Sequence, residues 1–255
     1  MHILEARDVS KHFGGIGALE DVSFKIRKGA IISIIGPNGA GKTTLFNCLT
    51  GIARPDRGAI YFMENEISKL PAHRVTELGI ARTFQNIRLF PEMTVIENVM
   101  VAQHLRVRYG LLSAIAHNRT FRKKEKDIIE KAFEYVGFVG LENFARTPAC
   151  NLSYGSQRRL EIARALATEP GLLLLDEPTA GMNAIETMEV MDLIAQIREL
   201  GKTIVLIEHD MKLVMGISEW IIVLDHGVKI AEGTAEEVRN DPLVIDAYLG
   251  KEAVQ

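Results

Sequence analysis

The chain has 255 residues, 47% of them hydrophobic, and a formal net charge of −3. This length and apolar content suit a large α/β domain, and the charge excludes a globally basic surface, so we expect no nucleic-acid partner. Residues 1–7 lack the apolar core of a signal peptide, and no run approaches the roughly 20 apolar residues that span a bilayer. We therefore expect a cytoplasmic protein with reduced cysteines.

Short apolar segments predict two kinds of sheet. An antiparallel edge sheet is expected from three of them, at residues 4–9, 22–26 and 59–62. Parallel strands are expected from four others, at residues 31–35, 172–175, 203–207 and 221–224. Helical spacing predicts helices at residues 184–200 and 211–217. Together these segments indicate the α/β class.

A complete phosphate-binding motif lies between the strand at 31–35 and a helical segment at 44–50. Its glycines let successive backbone N–H groups turn toward phosphate oxygens, and the helix N-terminus adds its positive dipole end. In this motif the lysine reaches the β- and γ-phosphates and the following threonine ligates Mg²⁺. We predict a site for a nucleoside triphosphate and Mg²⁺ formed by Gly36, Pro37, Asn38, Gly39, Ala40, Gly41, Lys42, Thr43 and Thr44.

Residues 86–149 lose the strand signals and become helical. Thr94 with Glu97 predicts a capping box, and residues 121–137 predict a charged amphipathic helix. The stretch 105–126 contains apolar residues (Leu111, Leu112, Ala114, Ile115, Ala116) and a basic run (Arg119, Arg122, Lys123, Lys124, Lys126). Two interpretations stay open for it: a solvated, salt-bridged helix, or contact with anionic lipid or a membrane subunit.

The apolar run at 172–175 ends in Asp176, Glu177 and Pro178. Four consecutive leucines fit a strand buried on both faces of a parallel sheet, and such sheets place ligands at the carboxyl ends of their strands. We expect Asp176 to hold Mg²⁺ and Glu177 to polarise the water that attacks the γ-phosphate. The alternative is that the two acids are ordinary charges at a strand end.

Residues 152–157 read Leu-Ser-Tyr-Gly-Ser-Gln and open a helical run. With the two motifs above, this segment resembles the signature of ATP-binding cassette (ABC) ATPases, and the resemblance extends from about residue 4 to residue 249. It implies a P-loop NTPase core with an antiparallel β edge sheet and an inserted α-helical subdomain. The core would comprise residues 1–85 and 150–255, and the subdomain residues 86–149.

The same resemblance implies roles for three further residues. Phe13 would stack on adenine, Gln85 would contact Mg²⁺ and the attacking water, and His209 would bond the γ-phosphate and support Glu177. The implied catalytic set is Lys42, Gln85, Glu177 and His209. The implied metal ligands are Thr43, Gln85 and Asp176.

In this family, Ser153 and Gly155 would complete the ATP site of a neighbouring chain, so that two ATP molecules lie between two subunits. The chain departs from the family pattern at Tyr154, Ser156 and Asn183, where glycine, glutamine and aspartate are usual. A positive φ at Tyr154 would cost about 1–3 kcal/mol of strain, whereas a position that needs only room would gain bulk. We hypothesise that the site completed by this signature is weaker and that the second ATP-binding subunit differs from this chain; a homodimer stays open.

The insertion, the aromatic signature and a short amphipathic helix at 242–250 resemble the larger ATP-binding subunit of branched-chain amino acid importers. This implies a motor on the inner face of the membrane whose helical subdomain binds permease subunits through a groove lined by Phe90, Met93 and Val95. A periplasmic or extracellular substrate-binding protein would act indirectly. The alternatives are a urea or amide importer, a lipid or polysaccharide exporter and, less favoured, an ATPase clamp outside transport.

Overall fold

The computed structural model describes residues 1–105 and 119–252. An antiparallel sheet in the order β2-β1-β4-β5 lies on one side of the molecule. Its strands are β1 (His2–Phe13), β2 (Ile16–Arg27), β4 (Arg57–Phe62) and β5 (Asn65–Glu66). The predicted antiparallel sheet is confirmed, but β1 and β2 run on to a turn at residues 14–15. Sequence analysis missed this extension because polar and exposed residues interrupt its few apolar ones.

A six-stranded sheet in the order β10-β9-β3-β8-β7-β6 forms the centre of the fold. Its strands β3, β7, β8 and β9 confirm the four predicted parallel strands, whereas β6 and β10 were not predicted. β10 pairs antiparallel with β9. The strand bounds are β3 (Ile31–Ile35), β6 (Ile80–Arg82), β7 (Leu172–Asp176), β8 (Thr203–Ile207), β9 (Trp220–Asp225) and β10 (Val228–Gly233).

The helices of the described residues lie around and between these sheets. In chain order they are α1 (Lys42–Leu49), α2 (Ala72–Leu78), α3 (Val95–Gln103), α4 (Arg119–Phe138), α5 (Tyr154–Leu166), α6 (Ala184–Glu199), α7 (Met211–Ile217), α8 (Ala235–Asn240) and α9 (Pro242–Glu252). The predicted helices at 121–137, 184–200, 211–217 and 242–250 are confirmed. The capping box of Thr94 and Glu97 is also present at the start of α3.

The helical middle of the chain packs α3 against both α4 and α5. Gln103 ties α3 to α4, because its Nε2 donates to the Ile128 carbonyl oxygen over 2.9 Å. The predictions made for residues 106–118 lie outside the described residues. Lys126 of the basic run forms an exposed pair with Glu130 at 3.4 Å, which agrees with the solvated, salt-bridged interpretation at that position.

Two large hydrophobic clusters fill the space between these layers. One lies between the antiparallel sheet, α1 and one face of the central sheet, and the other between the opposite face and helices α3 to α6. Every residue of β3, β7 and β8 is buried. Because these three strands are parallel neighbours, the segments after their carboxyl ends meet at one edge of the sheet. Across residues 1–105 and 119–252, no helix is both long and apolar enough to cross a membrane.

Candidate active site

The loop after β3 has a backbone that only glycine permits at two of its positions. Gly36 has φ 148° and Gly41 has φ 97°. A Cβ at Gly36 would lie 2.0 Å from the Leu224 carbonyl oxygen, and one at Gly41 would lie 2.5 Å from that of Ala18. At Gly39, by contrast, nothing lies within 4 Å of an added Cβ. The loop is therefore closely packed at Gly36 and Gly41 and open at Gly39, where a phosphate group has room.

Helix α1 begins at this loop without a side-chain cap on its first turn. The first backbone N–H groups of a helix need partners, and an anion supplies them. The Lys42 Nζ donates to the Gly36 and Pro37 carbonyl oxygens at 2.6 and 2.9 Å, so the ammonium group lies over the loop. Thr43 is exposed and Thr44 half-buried at the same helix end. These residues fit a polyphosphate.

Glu177, which follows β7, contacts both Gln85 and His209, the latter from the segment that follows β8. Its Oε2 accepts from Gln85 Nε2 at 2.9 Å, and its Oε1 lies 2.7 Å from His209 Nε2, which donates to the carboxylate. The structure therefore brings together three of the four predicted catalytic residues. Glu177 has φ 48°, in the left-handed region that costs a non-glycine residue about 1–3 kcal/mol. Such strain concentrates at functional sites, and here the carboxylate is oriented by two partners.

Asp176 is buried at the end of β7 and forms an ion pair that sequence analysis missed. Its Oδ2 accepts from Arg82 Nη2 at 2.7 Å, and the Nη1 of the same guanidinium donates to Asn47 Oδ1 at 2.7 Å. The side chains of Arg82 and Asp176 are only 5% and 4% exposed. Arg82 is the last residue of the three-residue strand β6, which is too short to be recognised from a sequence pattern. The pair holds the Asp176 carboxylate in one orientation.

The donors near the loop suit a hard cation that keeps water and phosphate ligands. Within the described ranges, no group of three or more His, Cys, Asp or Glu residues could hold a metal ion by itself. The predicted set instead offers one hydroxyl, one carboxylate and one amide, at Thr43, Asp176 and Gln85. Mg²⁺ is commonly bound by one or two carboxylates together with substrate phosphates. The donor chemistry therefore fits Mg²⁺ bound together with ATP.

The signature segment caps helix α5. Ser153 is the N-cap residue, with φ −60°, and its Oγ accepts from the Ser156 N–H at 3.3 Å and donates to Ser156 Oγ at 3.0 Å. Gly155 faces α6, where a Cβ would lie 3.0 Å from Glu186 Oε1. Tyr154 is the first helical residue and does not have positive φ. Of the two alternatives for Tyr154, strain is therefore wrong and added bulk is correct.

Asn183 caps helix α6 in a capping box. Its Oδ1 accepts from the N–H groups of Ile185 and Glu186 at 2.9 and 3.0 Å, and Glu186 Oε2 accepts from the Asn183 N–H at 3.1 Å. An aspartate would cap the helix equally well, so the departure from the usual residue is locally conservative.

We expect Asn183→Ala to lower the free energy of unfolding by about 1 kcal/mol, within a range of roughly 0.5–2 kcal/mol, because two N–H groups lose their acceptor. Asn183→Asp is the matched control and should change it little. Urea denaturation followed by circular dichroism measures both. Equal losses for the two variants would contradict the capping role.

One further contact at the site was missed by sequence analysis. Tyr248 of α9 packs against the cluster that contains Ile35 and has a backbone hydrogen bond from Gly36, the first glycine of the loop. Burial raises the pKa of the Tyr248 phenol, and the hydrogen bond from Gly36 opposes this shift. The C-terminal helix thus contacts the phosphate loop, which no local pattern in the sequence signals.

Phe13 ends β1 with a ring that is 53% exposed, and the Lys11 Nζ lies 5.4 Å from the ring centroid.

A groove of about 390 Å³ is lined by residues that include Phe84, Phe90 and Val101. Phe90 lines this groove as predicted. Val95 does not, since it is fully buried in the core, and Met93 is not among the lining residues. Sequence analysis could not distinguish the residues that line the groove from those of the core because both are apolar.

Two family models match the chain. One, described as ABC transporter, matches residues 19–180, and the other, described as branched-chain amino acid ATP-binding cassette transporter, matches residues 228–254. The chain belongs to the ABC transporter family. This cassette is 49% identical over 250 residues to the high-affinity branched-chain amino acid transport ATP-binding protein LivG of Salmonella typhimurium, covering 98% of both chains.

Solved structures agree with this assignment. The ADP conformation of an ATP-binding cassette of an ABC transporter has a TM-score of 0.85 and 33% identity to this cassette, covering 98% of this chain and 99% of that one. A dimeric cassette in a post-hydrolysis state, bound to ADP and Pi, has a TM-score of 0.77 and 29% identity, covering 91% and 98%. The predicted fold class is confirmed. The cassette binds and hydrolyses ATP as the ATP-binding subunit of a transporter.

Proposed function

We propose that this cassette is the ATP-hydrolysing motor of an importer for branched-chain amino acids. The observation that carries the proposal is the 49% identity to LivG over 98% of both chains. The match of residues 228–254 to the branched-chain amino acid family model supports it independently of the ATPase motifs. Nothing in the ATP site itself selects the transported solute, so the proposal depends on these whole-chain similarities.

The cassette works as a core of residues 1–85 and 150–255 with an inserted helical subdomain, residues 86–149. The contacts of α3 with α4 support the helical subdomain, and the contacts of α3 with α5 join it to the core. The groove between the two parts, beside Phe84 and Phe90, receives an apolar segment of a membrane permease subunit. The cassette would then lie on the cytoplasmic face of the membrane. A substrate-binding protein on the outer side would act through the permeases.

Each site residue has a defined task in ATP hydrolysis. The loop N–H groups and Lys42 bind the phosphates, and Glu177 accepts a proton from the attacking water. Gln85 and His209 orient the Glu177 carboxylate and can bond the water and the γ-phosphate. Thr43, Gln85 and Asp176 would hold Mg²⁺, which neutralises charge on the phosphate oxygens.

The adenine would stack on Phe13. Stacking of a base on an aromatic ring contributes about 1–3 kcal/mol, so Phe13→Ala should weaken ATP binding by roughly 5- to 150-fold. Ile16→Ala is the matched control, because Ile16 pairs with Phe13 across the hairpin and is also exposed. Titration with a fluorescent ATP analogue measures both affinities. Similar affinities for the Phe13 and Ile16 variants would exclude the stacking role.

Ser153 and Gly155 would complete the ATP site of a second ATP-binding subunit, so that ATP joins the two. The bulk of Tyr154 beside this position supports a weaker site there and a partner that differs from this chain. The test compares the ATPase rate of the chain alone with that of a mixture containing the second subunit. We expect a higher ATPase rate in the mixture than for the chain alone. A high, cooperative ATPase rate for the chain alone would contradict a partner that differs from this chain.

Affinity purification of the full chain from membranes of its own source tests the transporter assignment. We expect two hydrophobic permeases and a second cassette ATPase in the purified complex. Copurification with permeases of a urea or amide importer, or of a lipid or polysaccharide exporter, would leave the ATPase assignment intact and change the transported solute. Recovery with ribosomes or DNA and no permease would contradict the proposal.

A further inference from the structure

One face of α5 holds the segment that carries Gln85. The Arg158 guanidinium, whose side chain is 0% exposed, donates from Nη1 to the Phe84 carbonyl oxygen at 2.6 Å and from Nη2 to that of Gln85 at 2.7 Å. Glu161 lies one helical turn later, and its Oε1 accepts from the N–H groups of Phe84 and Arg88 at 3.3 and 3.4 Å. The two side chains thus bind both the donors and the acceptors of one short backbone segment.

The two residues also bind each other. Arg158 Nη1 donates to Glu161 Oε2 at 2.9 Å, and the Glu161 side chain is only 3% exposed. Burial raises the pKa of the Glu161 carboxyl, and the charge of Arg158 opposes this shift. A buried ion pair is weak evidence for stability, since apolar residues of similar volume often serve as well. The presence of the Arg158–Glu161 pair is better explained by the backbone N–H and C=O groups that it holds in place.

The held segment needs such partners because it has no regular secondary structure. Residues 84–90 lie between β6 and the turn before α3, outside any sheet or helix ladder. Buried backbone N–H and C=O groups without ladder partners must find side chains or water. Arg158 and Glu161 supply those partners from a rigid helix, so the segment has one defined position.

The segment connects the active site to the groove. At one end, Gln85 donates to Glu177. At the other, Arg164, one turn beyond Glu161, donates to the Arg88 carbonyl oxygen and lies 5.5 Å from the Phe90 ring centroid. Glu161, Arg164 and Phe90 all line the groove of about 390 Å³. A displacement of these side chains by an occupant of the groove would therefore reach the backbone of Phe84 and Arg88, which lie on either side of Gln85.

Tyr154 joins the same network. Its hydroxyl oxygen accepts from Arg158 Nη2 at 3.2 Å, and its ring lies 3.5 Å from where a Cβ of Gly181 would be. The tyrosine that replaces the family's usual glycine thus links Arg158 to the segment after Pro178. Arg158 thus contacts the Gln85 segment directly and the segment following Glu177 through the Tyr154 ring.

We propose that Arg158 and Glu161 are positioning residues that set the place of Gln85 against Glu177 and couple it to the groove. The coupling to the groove rests on the proposed docking of a permease, whereas the positioning of Gln85 does not. Neither residue belongs to the predicted ATP-binding set. Their loss should therefore lower kcat while leaving the affinity for ATP intact.

Hydrogen exchange in the full-length chain tests the contact directly. Glu161→Gln should raise the exchange rates of the Phe84 and Arg88 amides by about tenfold, since each loses a charged acceptor. Because Glu161→Gln leaves Arg158 unpaired in the interior, the double variant Arg158→Met with Glu161→Leu is made in parallel. It removes both charges and should fold, yet show the same local loss of protection. Unchanged exchange in both variants would overturn the proposal.

The kinetic test uses the full-length chain mixed with its second ATP-binding subunit. Both variants should lower kcat roughly 10- to 100-fold, the effect of a small misplacement, with KM for ATP unchanged. Ile194→Ala, a buried change in α6 away from this network, controls for lost stability and should leave kcat unchanged at a temperature where it is folded. A fall in kcat for Ile194→Ala equal to that of the pair variants would overturn the proposal. Failure of the transporter assignment would appear separately, as missing permeases in the purification.

Discussion

Glu177→Gln should slow ATP hydrolysis by roughly 10²- to 10⁴-fold, the usual contribution of a positioned general base. The reason is chemical, since the amide cannot take a proton from the attacking water. Its shape and its one acceptor oxygen keep one of the two contacts that hold the carboxylate, from Gln85 at 2.9 Å and from His209 at 2.7 Å, and no residue of the phosphate loop is changed. Binding of ATP should therefore be retained.

Two measurements on the same preparation check this prediction. Phosphate release gives the hydrolysis rate, and titration with a fluorescent ATP analogue gives the affinity. Glu199→Gln is the matched control, because it makes the same chemical change at an exposed position of α6. Hydrolysis near the wild-type rate in the Glu177 variant would remove that residue from the catalytic role.

Lys42→Ala should weaken ATP binding itself. Hydrogen bonds to a charged group contribute about 1.5–3 kcal/mol each, so one lost contact corresponds to roughly a 10- to 150-fold rise in Kd. The loop conformation should survive, since it is set by Gly36 and Gly41, where an added Cβ would clash with backbone oxygens of β9 and β2. The variant would thus separate phosphate binding from loop folding.

Lys28→Ala provides the control for Lys42→Ala. Lys28 is exposed in the turn between β2 and β3, and its removal changes the net charge of the chain equally. Equilibrium titration with the fluorescent analogue should show wild-type affinity for Lys28→Ala and the large loss only for Lys42→Ala. Equal affinities in the two variants would show that Lys42 does not bind the phosphates.

Much of this fold could be predicted because its central strands are short, apolar and fully buried. β3, β7 and β8 carry that signal in almost every residue. The three-residue strand β6 is too short for any periodicity, and β10 is half-exposed along most of its length. Such edge strands are specified by their neighbours in the sheet rather than by their own composition.

The residues that meet at the candidate site could be picked out because their motifs are local in sequence. The groups that orient them are not. Arg82 lies 94 residues from Asp176, and Arg158 lies 73 residues from Gln85. Tyr248 reaches Gly36 from the last described helix. Partners this distant have no spacing signal, so only the folded chain shows which charge meets which backbone group.

The most direct measurement of the central claim is uptake of labelled leucine by proteoliposomes containing the complex that copurifies with this chain. With ATP inside and the substrate-binding protein outside, we expect uptake with the wild-type chain and none with Glu177→Gln. Labelled urea in the same assay should not accumulate. Uptake of urea in place of leucine, or leucine uptake that the Glu177 variant supports equally, would contradict a branched-chain amino acid importer driven by this chain.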